Sequence, residues 1–369
     1  MTNKLCLVLS VIITASMLLA ACLPAAPAAA PAVLAQPTTA AVVAPTSAAS
    51  LPNGSPIKVG LVTDTAGVKD QAFNQLAWQG IQKAAMDMGL QAKFIEPRQP
   101  SDYEQNIDAL ANEGYNIIIT VGSLMGAATA LKAKQYPDIK FAIIDNAYSD
   151  GGLTNLTSLM FAEDQASFLS GVLAGGMSRS GFVCSVSSIR TPRSDRSVMS
   201  FHVGATWQAG PDLKIMNNYI NIKTTDQNVP NSDDSTQGKE TALRLIGQGC
   251  DVVFAVGGDA VTGALLAAKE NNLPAIGTDV DEYNIYPEAQ SALLTSAMKN
   301  VDIAVYNYLK TVGDGSVKAG ISTASLQNGG VGLAPFHAWD SKIPADLKAQ
   351  LQKAIDGLKD GSIKIDVHQ

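Results

Sequence analysis

Ile117-Ile118-Ile119-Thr120-Val121-Gly122 and Phe141-Ala142-Ile143-Ile144-Asp145 are the stretches on which the fold turns. Neither alternates apolar with polar residues, so neither offers a face to water. Strands of that kind are covered on both sides, as in a parallel sheet between two layers of helix. Residues 126–133, which lie between them, are small and read as helix. Upstream, residues 57–62 form a third short β-branched run that ends in the turn-like Thr63-Asp64-Thr65-Ala66-Gly67. Phe73, Leu76, Ala77, Gly80, Ile81, Ala84, Ala85 and Met88 then recur at spacings of three and four, which is one apolar face of a helix. Gly89 stands where a C-terminal cap belongs. Residues 93–95 read as strand and 102–112 as helix. The rhythm restarts downstream. Residues 168–177, 238–246 and 260–271 read as helices; residues 182–186, 214–216, 219–222, 251–256 and 275–277 read as strands. The expected class is therefore α/β, with two doubly wound parallel-sheet units.

The front end sets the compartment. Lys4 precedes an apolar stretch, residues 5–19, broken only by Ser10, Thr14 and Ser16. That is the layout of a secretory leader, and it is too short to span a bilayer. Leu19-Ala20-Ala21-Cys22 resembles the bacterial lipobox, in which the Cys is acylated and becomes the new N-terminus. An ordinary signal peptide that happens to contain Cys22 is the other reading. Residues 1–21 are expected to be a lipoprotein signal peptide. Residues 22–55, rich in Ala and Pro with no charge, are expected to be an extended tether. The expected location is extracytoplasmic, anchored to the cell membrane through lipidated Cys22.

The remaining body, about 310 residues, suggests two domains. The chain carries 33 acidic and 26 basic residues, a net charge of −7, with no Lys/Arg run, so nucleic acid is not an expected partner. Cys184 and Cys250 either pair or stay as buried thiols, and the sequence leaves both open. His202, His337 and His368 are scattered, and no CxxC or HExxH occurs, so neither metal nor cofactor is expected. No GxSxG or activated base is found, which argues against an enzyme.

In open α/β sheets, ligands bind beyond the C-terminal ends of the strands. Three predicted strand ends carry an Asp (Asp64, Asp145 and Asp279); two others end in Gly122-Ser123 and Gly257-Gly258. A single such Asp would also suit a helix N-cap. Several at one edge suggest a cleft for a polyol or an amine.

Val62-Thr63-Asp64, Gly67, Asp70 and Ala72-Phe73-Asn74-Gln75 resemble the opening motif of the basic membrane protein family of lipoproteins. Residues 141–146, 161–174, 251–258, 275–281 and Ser296-Ala297-Met298-Lys299-Asn300 continue the likeness in order, over about residues 57 to 335. The resemblance implies a type I periplasmic binding protein fold, with two lobes, three crossovers forming a hinge, and an interlobe cleft. On that basis lobe one is expected from 56–163 plus 292–320, and lobe two from 164–291 plus 321–369. It also implies a monomeric, non-catalytic receptor for a small molecule, a purine nucleoside above all, serving an ABC transporter permease.

The family's roles fall on matching residues. Phe73 resembles the aromatic that stacks on the base, although on spacing alone it also fits the core face of its helix. Asn74 would bond the base edge. Asp64 and Asp145 would line the lobe-one wall, with Ser123 at the third strand end. Asp279 resembles the carboxylate that grips ribose hydroxyls, and Lys299 would reach a ribose oxygen. The residues 185–196 depart from the family pattern. They read as a long loop with Arg190, Arg193 and Arg196, either solvated or meeting an anion. The second aromatic of the base sandwich is unassigned, with Phe254 and Trp207 as candidates. The alternatives are a receptor for another small polar or anionic ligand, or a signalling lipoprotein.

Overall fold

The computed structural model describes residues 54, 56–148, 153–221 and 235–367. The leader, Cys22, most of the tether and His368 lie outside the described residues. Two parallel sheets carry the architecture. The chain runs β1 (Lys58–Val62), α1 (Phe73–Met88), β2 (Gln91–Ile95), α2 (Tyr103–Asn112), β3 (Ile117–Val121), α3 (Gly126–Gln135), β4 (Lys140–Ile144) and β5 (Leu156–Phe161). It continues with α4 (Glu163–Met177), β6 (Phe182–Ile189), α5 (Pro192–Ala209), β7 (Lys214–Asn221), α6 (Ser235–Gly247), β8 (Val252–Val256), α7 (Gly258–Glu270), β9 (Ala275–Asp279) and α8 (Glu282–Ile285). It closes with β10 (Leu293–Lys299), α9 (Val301–Gly313), β11 (Gly320–Ala324), β12 (Val331–Leu333) and α10 (Ala345–Asp360). The sheet orders are β11-β5-β4-β3-β1-β2 and β12-β10-β9-β8-β6-β7. All pairings are parallel except that of β10 with β12.

The apolar runs are explained by what covers them. Ile117 and Ile119 of β3 pack with Ile81 and Ala84 of α1 and with Val305 and Leu309 of α9. Ile118, which points the other way, packs with Ile107 and Leu110 of α2 and Met125 before α3. In the second sheet, Val183, Val252 and Phe254 meet α4, α5 and α10, while Cys184, Val253 and Ala255 meet α6 and α7. Helices α4 and α5 approach so closely that only glycine fits their seam. A Cβ on Gly171 would stand 2.0 Å from the Phe201 carbonyl oxygen, and one on Gly204 would stand 2.0 Å from that of Phe168.

The expected lobe boundaries need correction. Residues 292–320 were assigned to lobe one, but β10 lies inside the second sheet, paired with β9 and β12. Conversely β11, expected mostly in lobe two, pairs with β5 in the first sheet. The physical reason is that Leu293 and Leu294 are fully buried strand residues, so the chain can leave the sheet only after the strand ends. It crosses after β5 at Ala162, after β10 at Asn300, and between β11 and β12. These crossings bond to one another. The Ala162 N–H donates to Ala324 O at 2.8 Å and the Asn300 N–H to Gly330 O at 3.0 Å. Asn300 Nδ2 donates to Gly329 O at 2.7 Å. Among the described residues no helix is long and apolar enough to cross a membrane.

Candidate functional site

A cavity of about 210 Å³ opens where the C-terminal strand ends of the two sheets meet. Phe73 and Lys299 line it together with Asp279, Arg193, Glu163 and Thr278. Its size is below the roughly 300–1,000 Å³ usual for drug-sized ligands, so it suits one small molecule. Asp145 and Asp279 terminate equivalent strands, β4 and β9, with φ of 63° and 69°. Non-glycine residues seldom take this left-handed conformation, and Asp is among those that tolerate it best.

Charged side chains interlock at this junction. Lys299 Nζ lies 3.2 Å from Asp145 Oδ2 and 3.5 Å from Asp279 Oδ1. It also sits 5.5 Å from the centre of the Phe73 ring. Burial alone would lower the pKa of this ammonium. The carboxylates of Asp279 and Asp145 outweigh that, and the pKa rises above its ordinary value. Arg193 Nη1 donates to Asp145 Oδ2 at 2.6 Å, and Nη2 donates to the Asp145 backbone oxygen at 3.1 Å. Asp145 Oδ1 is buried and meets no donor among the described residues. Arg196 donates to Glu163 at 3.0 Å, and Arg190 pairs with Asp195 at 3.1 Å.

The predicted site residues divide into three groups. Phe73, Asp279 and Lys299 line the cavity, and Asp145 joins them through its ion pairs. Asp64 and Asn74 form a bracket beside the cavity. Asn74 Nδ2 donates to Asp64 Oδ1 at 2.7 Å and to Asp70 Oδ2 at 2.9 Å, while Oδ1 accepts from the Asp64 N–H at 3.2 Å. Both amide donors are therefore in use, and Asn74 is 1 % exposed. Its place in the structure is to tie the β1 end to the first turn of α1. Asp70 completes the bracket by accepting from the N–H groups of Ala72, Asn74 and Gln75. Ser123 stands exposed outside the cavity lining.

Three expectations are corrected here. The residues 185–196 are not a long loop. β6 runs through Ile189 and α5 starts at Pro192, because Thr191 accepts from the Ser194 N–H at 3.1 Å as an N-cap, with Pro at the first helical position. Phe254 is not a second stacking platform: it is fully buried and stacked on Phe201 with centroids 4.6 Å apart. Trp207 lines a separate shallow hollow with Gln352 and Asp356 of α10. Sequence reasoning also missed Glu163, Ser167, Ser188, Ser194 and Ser197, all of which line the cavity. The Thr-Pro helix start was the available signal for those of α5. Cys184 and Cys250, left open above, form a disulfide with Cα atoms 5.9 Å apart.

Residues 57–364 match the family model described as ABC transporter substrate-binding protein, PnrA-like. The nucleoside-binding protein BmpA of a Lactococcus lactis ABC transporter is 27% identical over 328 residues, 84% of this chain and 89% of that one. An uncharacterized lipoprotein of Pyrococcus horikoshii is 29% identical over 297 residues, 78% of this chain and 70% of that one. Among solved structures, a solute-binding protein of an ABC transporter system from Aeropyrum pernix superimposes with a TM-score of 0.67 at 25% identity. That match covers 85% of this chain and 94% of the other. The type I periplasmic binding fold inferred from sequence is that of these neighbours.

Proposed function

This chain belongs to the family of PnrA-like ABC transporter substrate-binding proteins, and on that premise we propose that it holds a neutral nucleoside between its lobes and delivers it to a permease. Charge balance in the cleft carries the reading. Lys299 faces Asp145 and Asp279, Arg193 faces Asp145, and Arg196 faces Glu163. The three cations are matched by three carboxylates, so a phosphate or carboxylate would add an unbalanced negative charge beside Asp145, Asp279 and Glu163, whereas a neutral ligand leaves the balance intact. This speaks against the anionic alternative raised by the three arginines. Phe73 offers the face of a flat ring, worth about 0.5–1.5 kcal/mol beyond burial. Asp279, a third exposed, can accept both hydrogens of a vicinal diol as charge-assisted bonds. Lys299 donates to a ribose oxygen, and Asp145, which does not itself line the cavity, holds Lys299 and Arg193 in place behind it. Asp64 and Asn74 act at one remove, by fixing the helix start that carries Phe73. Ser123 is assigned no role.

The nucleoside-binding relative supports this ligand class, and relatives named as lipoproteins support an extracytoplasmic protein anchored at Cys22. The protein acts as a monomer that binds and hands over, without chemistry of its own. Calorimetric titration with inosine, guanosine, adenosine, inosine 5′-monophosphate, ribose and inorganic phosphate tests the ligand. Nucleosides should bind, and the monophosphate should bind at least about tenfold more weakly, a difference of about 1.4 kcal/mol. Preference for the monophosphate or for phosphate would overturn the reading. Incorporation of labelled palmitate, lost in Cys22→Ala, tests the anchor.

A further inference from the structure

Asp145 belongs to the first lobe, at the end of β4, and the two cations that grip it come from the second. We propose that Arg193 is an interlobe latch, a residue that favours closure of the cleft by clamping Asp145 and thereby sets the receptor's affinity. The clamp has two points. Nη1 takes the carboxylate at 2.6 Å and Nη2 takes the backbone oxygen of the same residue at 3.1 Å. Only a planar guanidinium spans both groups in this way. The left-handed backbone of Asp145, with φ of 63°, presents its carboxylate and its carbonyl to the same partner.

Position distinguishes Arg193 from Lys299. Lys299 directly precedes the crossing at Asn300 and also pairs with Asp279 in its own lobe. Arg193 lies in the first turn of α5, after β6. Both cations meet the same Asp145 oxygen, so opening the cleft breaks either contact, but Lys299 keeps Asp279 when the lobes part, whereas Arg193 gives up both the carboxylate and the carbonyl of Asp145. Because both partners are protein groups, the clamp favours closure whatever the ligand. Arg193 lines the cavity and Asp145 does not, so a ligand can enter the cavity with the clamp intact. Arg193 also uses only two of its five N–H donors on Asp145, which leaves others for a ligand acceptor.

The test is small-angle X-ray scattering of the ligand-free protein, native against Arg193→Gln and Arg193→Lys. Circular dichroism melting confirms that each variant folds. Arg193→Gln should have a larger radius of gyration than native protein. Arg193→Lys, which keeps the charge but loses the fork, should fall between them. If the closed fraction drops tenfold, the apparent Kd for inosine rises about tenfold. Identical scattering curves for native and Arg193→Gln proteins would overturn the latch, whatever the protein binds. A larger radius with no inosine binding in either protein would support the latch and count instead against the nucleoside reading.

Discussion

Replacing Lys299 with Met keeps the unbranched stem as far as Cε and removes a cation that two carboxylates share. Lys299 Nζ stands 3.2 Å from Asp145 and 3.5 Å from Asp279, and its side chain is 5% exposed. At an effective dielectric of about 20, each attraction is worth about 5 kcal/mol before desolvation is counted. Burying the ammonium costs several kcal/mol, and Arg193 repels it, so the net value is much smaller than the sum. Removing one partner of a buried pair typically costs about 3–5 kcal/mol, because the other charge is stranded. Here Asp145 keeps Arg193 and Asp279 is partly in water, which places the loss near the lower end, about 3 kcal/mol. For a folded body of this size that is a fall in Tm of about 4–5 °C. Scanning calorimetry of K299M, D145N and the double variant reads it. The double variant should lose less than the two single losses added together, because both remove one interaction. A K299M Tm within about 2 °C of native, or strictly additive losses, would refute the shared-cation reasoning.

Other expectations follow from neighbouring groups. Asp279→Asn, chosen because Asn also tolerates φ of 69°, should weaken nucleoside binding about 10- to 100-fold by titration calorimetry, through loss of charge-assisted bonds. Unchanged affinity would remove Asp279 from the site. Reduction of Cys184–Cys250, which are 66 residues apart, should lower stability by about 4 kcal/mol on the chain-entropy account. Melting with and without a phosphine reductant checks this, and a coincident transition would refute it. Glu282 is buried, and desolvation above all, with Asp279 and Asp281 adding to it, raises its pKa well above 4.5. A raised carboxyl pKa contributes stability that is complete below the unfolded value and is lost as pH rises through the folded value. Glu282→Gln should therefore flatten the fall in stability above about pH 4.5, and an unaltered pH profile from urea titrations would count against that assignment.

How much of this was legible in the sequence differs from element to element. The β1, β3, β4 and β8 runs declared themselves because strands covered on both faces carry unbroken apolar residues. Helix α1 was plain from its spacing and its glycine cap, which takes φ of 66°. Strand β11 was not legible, because it is an edge strand with Ile321, Ser322 and Thr323 exposed, and nothing in its pattern requires a sheet. Helix α5 was hidden behind its own start, where Arg190-Thr191-Pro192-Arg193 looks like a polar loop until Thr191 is read as a cap. Phe73, Asp279 and Lys299 were found at strand ends or in a motif, and they do line one cavity. Asn74 was found too, but the sequence held no sign that Asp64 and Asp70 would use both of its amide donors.

Local pattern along the chain was enough for the class of fold, the number of α/β units and the edge of the sheets at which the cavity opens. These depend on local periodicity and on the rule that ligands sit beyond parallel strand ends, both of which are written along the chain. Packing in three dimensions set where the chain crosses between lobes, that Cys184 meets Cys250, and that Arg193, Lys299 and Asp145 share one junction. Those outcomes join residues 48 to 154 positions apart. Distance along a chain carries no record of such meetings. They are fixed by how two covered sheets pack around a common hinge, and by the cost of leaving a buried charge without its partner.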